Sequence, residues 1–186
     1  YALLEASEAA SDAAAHAIMT TDTVKKEVAV ETTVGGKTVR MGGIAKGSGM
    51  IHPNMGTMLC FLTTDCAISP EMIHAALLET AQVSFNRISV DGDTSTNDTC
   101  IVLANGMAGN AEITEKNEDY AAFLEALKVL CTKLARMMAK DGEGAKHLIT
   151  CTVQGAASEK SAETIAKSVI SSSLTPLVPR HERLRK

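Results

Sequence analysis

Lys46-Gly-Ser-Gly-Met-Ile-His-Pro-Asn-Met-Gly-Thr-Met-Leu-Cys-Phe-Leu-Thr-Thr-Asp65 divides into two halves that make opposite demands on the backbone. Gly47, Gly49 and Pro53 each interrupt a helix or a strand ladder, so the first half is predicted to be irregular. Residues 58–62 form an apolar run of strand length, predicted to be buried. At the junction stands Gly56-Thr57. A hydroxyl that follows an unhindered glycine carbonyl can attack it, and the ester so formed can hydrolyse, leaving Thr57 as a new N-terminus. An α-amine titrates near pH ~8, so the freed amine can serve its own hydroxyl as general base. The plain alternative is a turn leading into a core strand, and the dipeptide alone does not choose between them.

Bulk properties narrow the class. The 186 residues are 45% hydrophobic but only 3% aromatic with no Trp, so Ala, Val, Ile, Leu and Met must build a core of one-domain size. A formal charge of −4 offers no basic face for nucleic acid. No apolar run reaches the length that spans a bilayer. The five cysteines are odd in number and contain no C-x-x-C pair, which reads as reduced thiols in a cytoplasmic protein. No His/Cys cluster implies a metal, Ser48 lacks a G-x-S-x-G frame, and Lys46 precedes Gly47-Ser48 in the wrong order for a phosphate loop.

Around the opening stretch, residues 2–15 read as a helix ending near His16. Residues 24–41 read as a hairpin turning at Gly35-Gly36, with Val28, Val30, Thr32 and Val34 on its buried face. A second arm then leads through Gly42-Gly43 to Lys46. Downstream, residues 69–85 read as a helix capped by Ser69, residues 87–90 as a short strand and residues 100–104 as a buried strand stopped by Asn105-Gly106. The longest helix is expected over residues 119–140, from the stripe Phe123, Leu127, Leu130, Leu134 and Met138. A half-buried strand over 147–154 and a capped helix over 158–171 complete the set. Strands and helices that alternate yet include a hairpin predict an α/β sandwich of mixed sheets with helices packed on them, not a doubly wound parallel sheet. His16 and His74 are assigned no role.

Residues 91–98, Asp-Gly-Asp-Thr-Ser-Thr-Asn-Asp, carry a rival chemistry. An apolar strand ending in D-x-D-x-T resembles the loop of haloacid-dehalogenase-like phosphatases, with Asp91 as nucleophile, Asp93 as acid/base and magnesium nearby. Asp98 stands too close for that pattern, and Asp141-Gly-Glu-Gly is an imperfect second acidic motif. An EF-hand fails, because Thr96 and Val102 occupy the positions that need Gly and Glu. The preferred reading is structural: a turn between strands whose side chains bind nearby backbone amides.

Five stretches together carry a family resemblance. KGSGMIHPNMGTMLCFLTTD (46–65), AIMTTDT (17–23), SFNRISVDGDTSTNDT (84–99), DGEGAKHL (141–148) and AETIAKSVISSSLT (162–175) resemble, in order, the glutamate/ornithine N-acetyltransferases of arginine biosynthesis. The resemblance implies a self-processing fold with an N-terminal Thr nucleophile, cut at Gly56-Thr57. Residues 1–56 would then end an α chain, 57–175 would begin a β chain, and 176–186 form a divergent basic tail. It implies ping-pong acetyl transfer from N-acetylornithine to glutamate through acetyl-Thr57, with Thr20, Lys46, Thr57 and Glu143 binding substrate. Lys46 would meet an α-carboxylate and Glu143 the ornithine side-chain amine. It also implies a heterotetramer of two α and two β chains, and no cofactor, with acetyl-CoA left open as a further donor.

Without the family, Lys46 is a solvated loop lysine, Glu143 an exposed loop carboxylate and Thr20 a turn-capping hydroxyl. Gly56 stands where the family more usually has Ala. The family's Thr-Gly oxyanion hole would fall upstream of Tyr1, and its last substrate contacts beyond Thr175. The chain by itself is therefore expected to be poorly active, since losing one oxyanion donor costs about 10²–10³ in rate. Two rivals stay open, an aminopeptidase-like self-processing hydrolase of related fold and an inactive incomplete chain, with the Asp91 phosphatase behind both.

Overall fold

Gly35 and Gly36 have φ of 55° and 72°, the paired left-handed residues that turn a hairpin in keeping with strand twist. Strands β1 (Lys26–Val34) and β2 (Lys37–Lys46) accordingly pair antiparallel, from Val34↔Lys37 to Lys26↔Ala45. The computed structural model describes residues 7–52, 58–93 and 97–172. Thr57, the Gly56-Thr57 bond and the 176–186 tail lie outside the described residues.

The second arm is longer than a strand ending at Met41, for β2 runs unbroken through Gly42 and Gly43 to Lys46. Gly43 sits opposite Leu62, and a Cβ there would fall 2.5 Å from Leu62 Cδ2 and 3.2 Å from Leu134 Cδ1. The glycine thus permits close packing inside a strand. Strand β3 (Leu59–Thr64) pairs antiparallel with β2, and β4 (Thr99–Ala104) pairs parallel with β3. The result is a mixed four-stranded sheet in the order β1-β2-β3-β4.

Helices cover the inner face. Ser69 accepts the Met72 amide at 3.3 Å and starts α2 (Pro70–Val83), and Asn117 accepts the Tyr120 amide at 2.9 Å and starts α3 (Glu118–Lys140). The stripe Phe123, Leu127, Leu130, Leu134 and Met138 is fully buried with Val34, Val39, Met41, Ala45 and Leu62. Helix α1 (Glu8–Ala17) lies toward the other face, where Ser11 Oγ donates to Glu27 at 2.5 Å. Strand alternation aims Glu27 away from Val28, which packs into the core.

Three expectations are corrected. Residues 85–87 form a 3-10 turn and no strand follows, because Val90 finds a single bond to the Ile51 carbonyl (2.8 Å) instead of a ladder. Strand β4 is half-exposed, with Ile101 at 40% and Leu103 at 63%, because it is the sheet's last strand and these two side chains point away from α3. Residues 147–154 form no strand: alternation supplies a face but not an edge to pair with. They belong to a second compact unit, residues 146–186. Its described regular element is α4 (Glu159–Ile170), capped by Ser158, which accepts the Ser161 amide at 3.1 Å.

Candidate functional site

The site stands on a buried cation. Lys26 has no exposed surface, and its register puts it on the core face with Val28 and Val30. Burying an unpaired ammonium costs several kcal/mol. Here its Nζ donates to Asp22 Oδ1 at 2.6 Å, Asp141 Oδ2 at 2.5 Å and the Val24 carbonyl at 3.1 Å. The two carboxylates then reach outward. Asp22 accepts the Gly47 amide at 2.8 Å and the Thr20 amide at 3.2 Å. Asp141, at the C-terminal end of α3, accepts the Thr23 amide at 2.9 Å and the Thr23 hydroxyl. Three segments remote in sequence, around residues 20–24, 46–48 and 141–143, are thereby tied to one point.

Burial pushes the Asp22 carboxyl up, but the Gly47 amide, Lys26 and the Thr20 amide outweigh it and hold the group below its ordinary value. At Asp141 burial acts in the same direction and is overcome by Lys26 and by Thr23. Both stay ionised at neutral pH, so the platform is a fixed cation between two fixed anions.

The groups above it face a cleft of about 340 Å³, at the small end of ligand-binding cavities. Lys46 ends β2 nearly buried, at 8% exposure, with Nζ donating to Thr20 Oγ1 at 3.3 Å. Ser48 Oγ and Thr21 Oγ1 are 2.6 Å apart, and the Ser48 carbonyl accepts the Glu143 amide at 2.6 Å. A Cβ on Gly49 would fall 2.9 Å from Glu143 Oε2 and 3.6 Å from Asp91 Oδ2, so both carboxylates lie close to the backbone there and a side chain at this position would make the Glu143 carboxylate shift. The cleft is bipolar, with Lys46 among hydroxyls and Asp91, Asp93 and Glu143 supplying carboxylates. Such a lining suits a small molecule carrying both an anionic and a cationic group.

Thr20, Lys46 and Glu143, singled out in the sequence, line this one cleft, while Thr57 lies outside the described residues. Asp91 is not placed as a free nucleophile. Its carboxylate accepts the Met50 amide, the Ile51 amide at 3.1 Å and the Asp93 amide at 3.1 Å. Only the last of these is the local turn bond expected from the sequence. The buried thiols are no better as nucleophiles: the Cys100 sulfur and burial push Cys60 up, and burial raises Cys66 to about 11. The sequence reading missed Asp22, Lys26 and Asp141 as a unit. The available signal was a lysine in register with Val28 and Val30, with an aspartate four residues before it.

The ArgJ family's sequence model matches residues 2–176. The arginine biosynthesis bifunctional protein ArgJ of Geobacillus stearothermophilus is 55% identical over 158 residues, covering 85% of this chain and 38% of the relative. The protein of the same name from Bacillus subtilis (strain 168) is 52% identical over 172 residues, covering 92% and 42%. A chloroplastic ArgJ of Ostreococcus lucimarinus is 54% identical over 172 residues, covering 92% and 37%. This chain thus spans about two fifths of the length of these curated relatives. Among solved structures, the crystal structure of the arginine biosynthesis bifunctional protein from Bacillus halodurans aligns with a TM-score of 0.60 at 44% identity, covering 62% of this chain and 54% of that one. With the match running through every segment of the cleft, the chain belongs to the ArgJ family.

Proposed function

We propose that the protein carrying this chain transfers an acetyl group from N-acetylornithine to glutamate, after cutting itself at Gly56-Thr57. In the cut, Thr57 Oγ bonds to the Gly56 carbonyl carbon while the C–N bond breaks, and the hydroxyl proton passes to the nitrogen. Water then hydrolyses the ester, giving a Gly56 carboxylate and a free Thr57 amine and hydroxyl. In transfer, Thr57 Oγ attacks the acetyl carbon, its own amine takes the proton and delivers it to the departing ornithine nitrogen, and acetyl-Thr57 remains. The glutamate amine attacks that ester and restores the hydroxyl. Lys46 and Thr20 hold the polar backbone of the amino acid, and Glu143 faces its side-chain amine.

The observation that carries this reading is the bipolar cleft, lined by Lys46, Thr20 and Glu143 beside a platform of buried charge. The finer architecture follows the same proposal: an α/β sandwich of the N-terminal-Thr nucleophile type, in which residues 1–56 and 57–175 contribute to separate chains of a cytoplasmic α2β2 assembly. The apolar outer side chains Ile101 and Leu103 support a second layer on that face of the sheet. No cofactor is required, and acetyl-CoA is a further donor to be tested.

Intact-mass analysis of the full gene product provides the test. Two pieces divided at Gly56-Thr57 are expected, with one acetyl group on the Thr57 piece after incubation with N-acetylornithine. Cleavage without acetylation would select a self-processing hydrolase instead. A chain that stays whole would overturn both readings.

A further inference from the structure

Asp91 and Asp98 form or break no bond in the chemistry above, yet their carboxylates grip the two flanks of the segment that carries the Gly56-Thr57 bond. Upstream, the Asp91 carboxylate accepts the Met50 amide and, at 3.1 Å, the Ile51 amide. The Val90 amide donates to the Ile51 carbonyl at 2.8 Å, and His52 Nδ1 lies 3.1 Å from Ser89 Oγ. Met50 has φ of 55°, a left-handed conformation that costs an L-residue about 1–2 kcal/mol, so something must hold it there. Downstream, Asp98 Oδ1 accepts the Met58 amide at 2.9 Å, and the Thr99 amide donates to the Met58 carbonyl at 3.0 Å. One short stretch of chain therefore fixes both ends of residues 52–58.

From these contacts we propose that Asp91 and Asp98 are positioning residues for self-processing, setting the approach of the Thr57 hydroxyl to the Gly56 carbonyl by anchoring the backbone on either side. The inference rests on the self-processing reading above and adds the residues that organise it. Attack by a hydroxyl on the preceding carbonyl needs a strained, specific backbone course, and a misplacement of ~1 Å can cost about 10²-fold in rate. Carboxylate-to-amide bonds are charge-assisted and short. Asp98 is half-buried, where such a bond is less weakened by water than at the surface. Its partner, the Met58 amide, belongs to the peptide bond that follows Thr57, so this anchor survives the cut.

The test follows freshly synthesised full gene product by intact mass as it matures, with thermal unfolding recorded alongside. Asp91→Ala and Asp98→Ala are expected to slow cleavage about 10- to 100-fold beyond any loss of folded protein. Asp98→Asn keeps an oxygen that accepts the Met58 amide and restores cleavage to within a few-fold of the parent, which a role in bulk stability would not require. Should the alanine variants fail to fold, Asp98→Glu decides. It keeps the charge but shifts the acceptor by one methylene, and cleavage several-fold slower in a folded variant supports the proposal. Parent-rate cleavage in folded Asp91→Ala and Asp98→Ala, or in Asp98→Glu, overturns it. An uncut parent chain overturns the self-processing reading itself, so the two failures are distinguishable.

Discussion

Replacing Lys26 with methionine removes the cation under the cleft while keeping the side chain's length and apolar stem. Asp22 and Asp141 are then left facing each other, with side chains 0% and 6% exposed. Removing one partner of a buried ion pair costs about 3–5 kcal/mol. The amides of Gly47, Thr20 and Thr23 still serve the two carboxylates, which favours the lower end of that range. At about 2–4 °C per kcal/mol for a chain of this size, thermal unfolding at pH 7 drops by about 6–20 °C. The pH dependence adds a signature. In the parent protein both carboxyls are held below their ordinary value of 3.8. Their contribution is therefore complete above pH 3.8 and is lost as pH falls through the lower folded values. In the variant Lys26 no longer helps the amides oppose burial, so the folded carboxyls take up protons at higher pH than in the parent. The gap between the two unfolding midpoints is expected to narrow as pH falls through the range in which these carboxyls protonate. A midpoint matching the parent's at pH 7, or a gap that widens on acidification, refutes the reasoning.

Other perturbations test separate parts of the account. Gly43→Val drives methyl groups into Leu62 and Leu134, which a Cβ alone would approach to 2.5 and 3.2 Å. Overpacking of this kind costs about 1–3 kcal/mol, and a lowered urea midpoint with unchanged slope is the expected result. Leu134→Ala, at a fully buried site in α3, costs about 2–5 kcal/mol in chemical denaturation. On the proposed function, Glu143→Gln in the full gene product removes a charge-assisted contact to the substrate amine worth about 1.5–3 kcal/mol, so kcat/KM for N-acetylornithine is expected to fall by roughly one to two orders of magnitude. An unchanged kcat/KM removes Glu143 from the substrate site.

The hairpin was readable because Gly35-Gly36 specifies a turn type locally, and α3 because its stripe repeats over many turns. Residues 147–154 misled for the converse reason, since strand alternation says nothing about whether a neighbouring edge is available. Residues 87–90 misled likewise, their main-chain bond going to Ile51 and not to a ladder. Grouping Thr20, Lys46 and Glu143 came from family resemblance. Nothing local in the sequence states that Asp141 lies 2.5 Å from Lys26 or that Gly47 meets Asp22. Those contacts join segments across the whole fold, whereas periodicity and capping act over a few residues. Lys26 alone carried a local sign, a charge written in the apolar register of β1.

Strands β2 and β3 are immediate neighbours, paired from Met41↔Thr64 to Lys46↔Leu59. Breaking the chain between them deletes a covalent tether but spares every rung that stitches the two strands. Separately expressed halves, one stopping at Gly56 and the other starting at Thr57, would therefore keep the information needed to find each other, and mixing them offers a split-protein reconstitution in which sheet assembly is observed without any proteolysis.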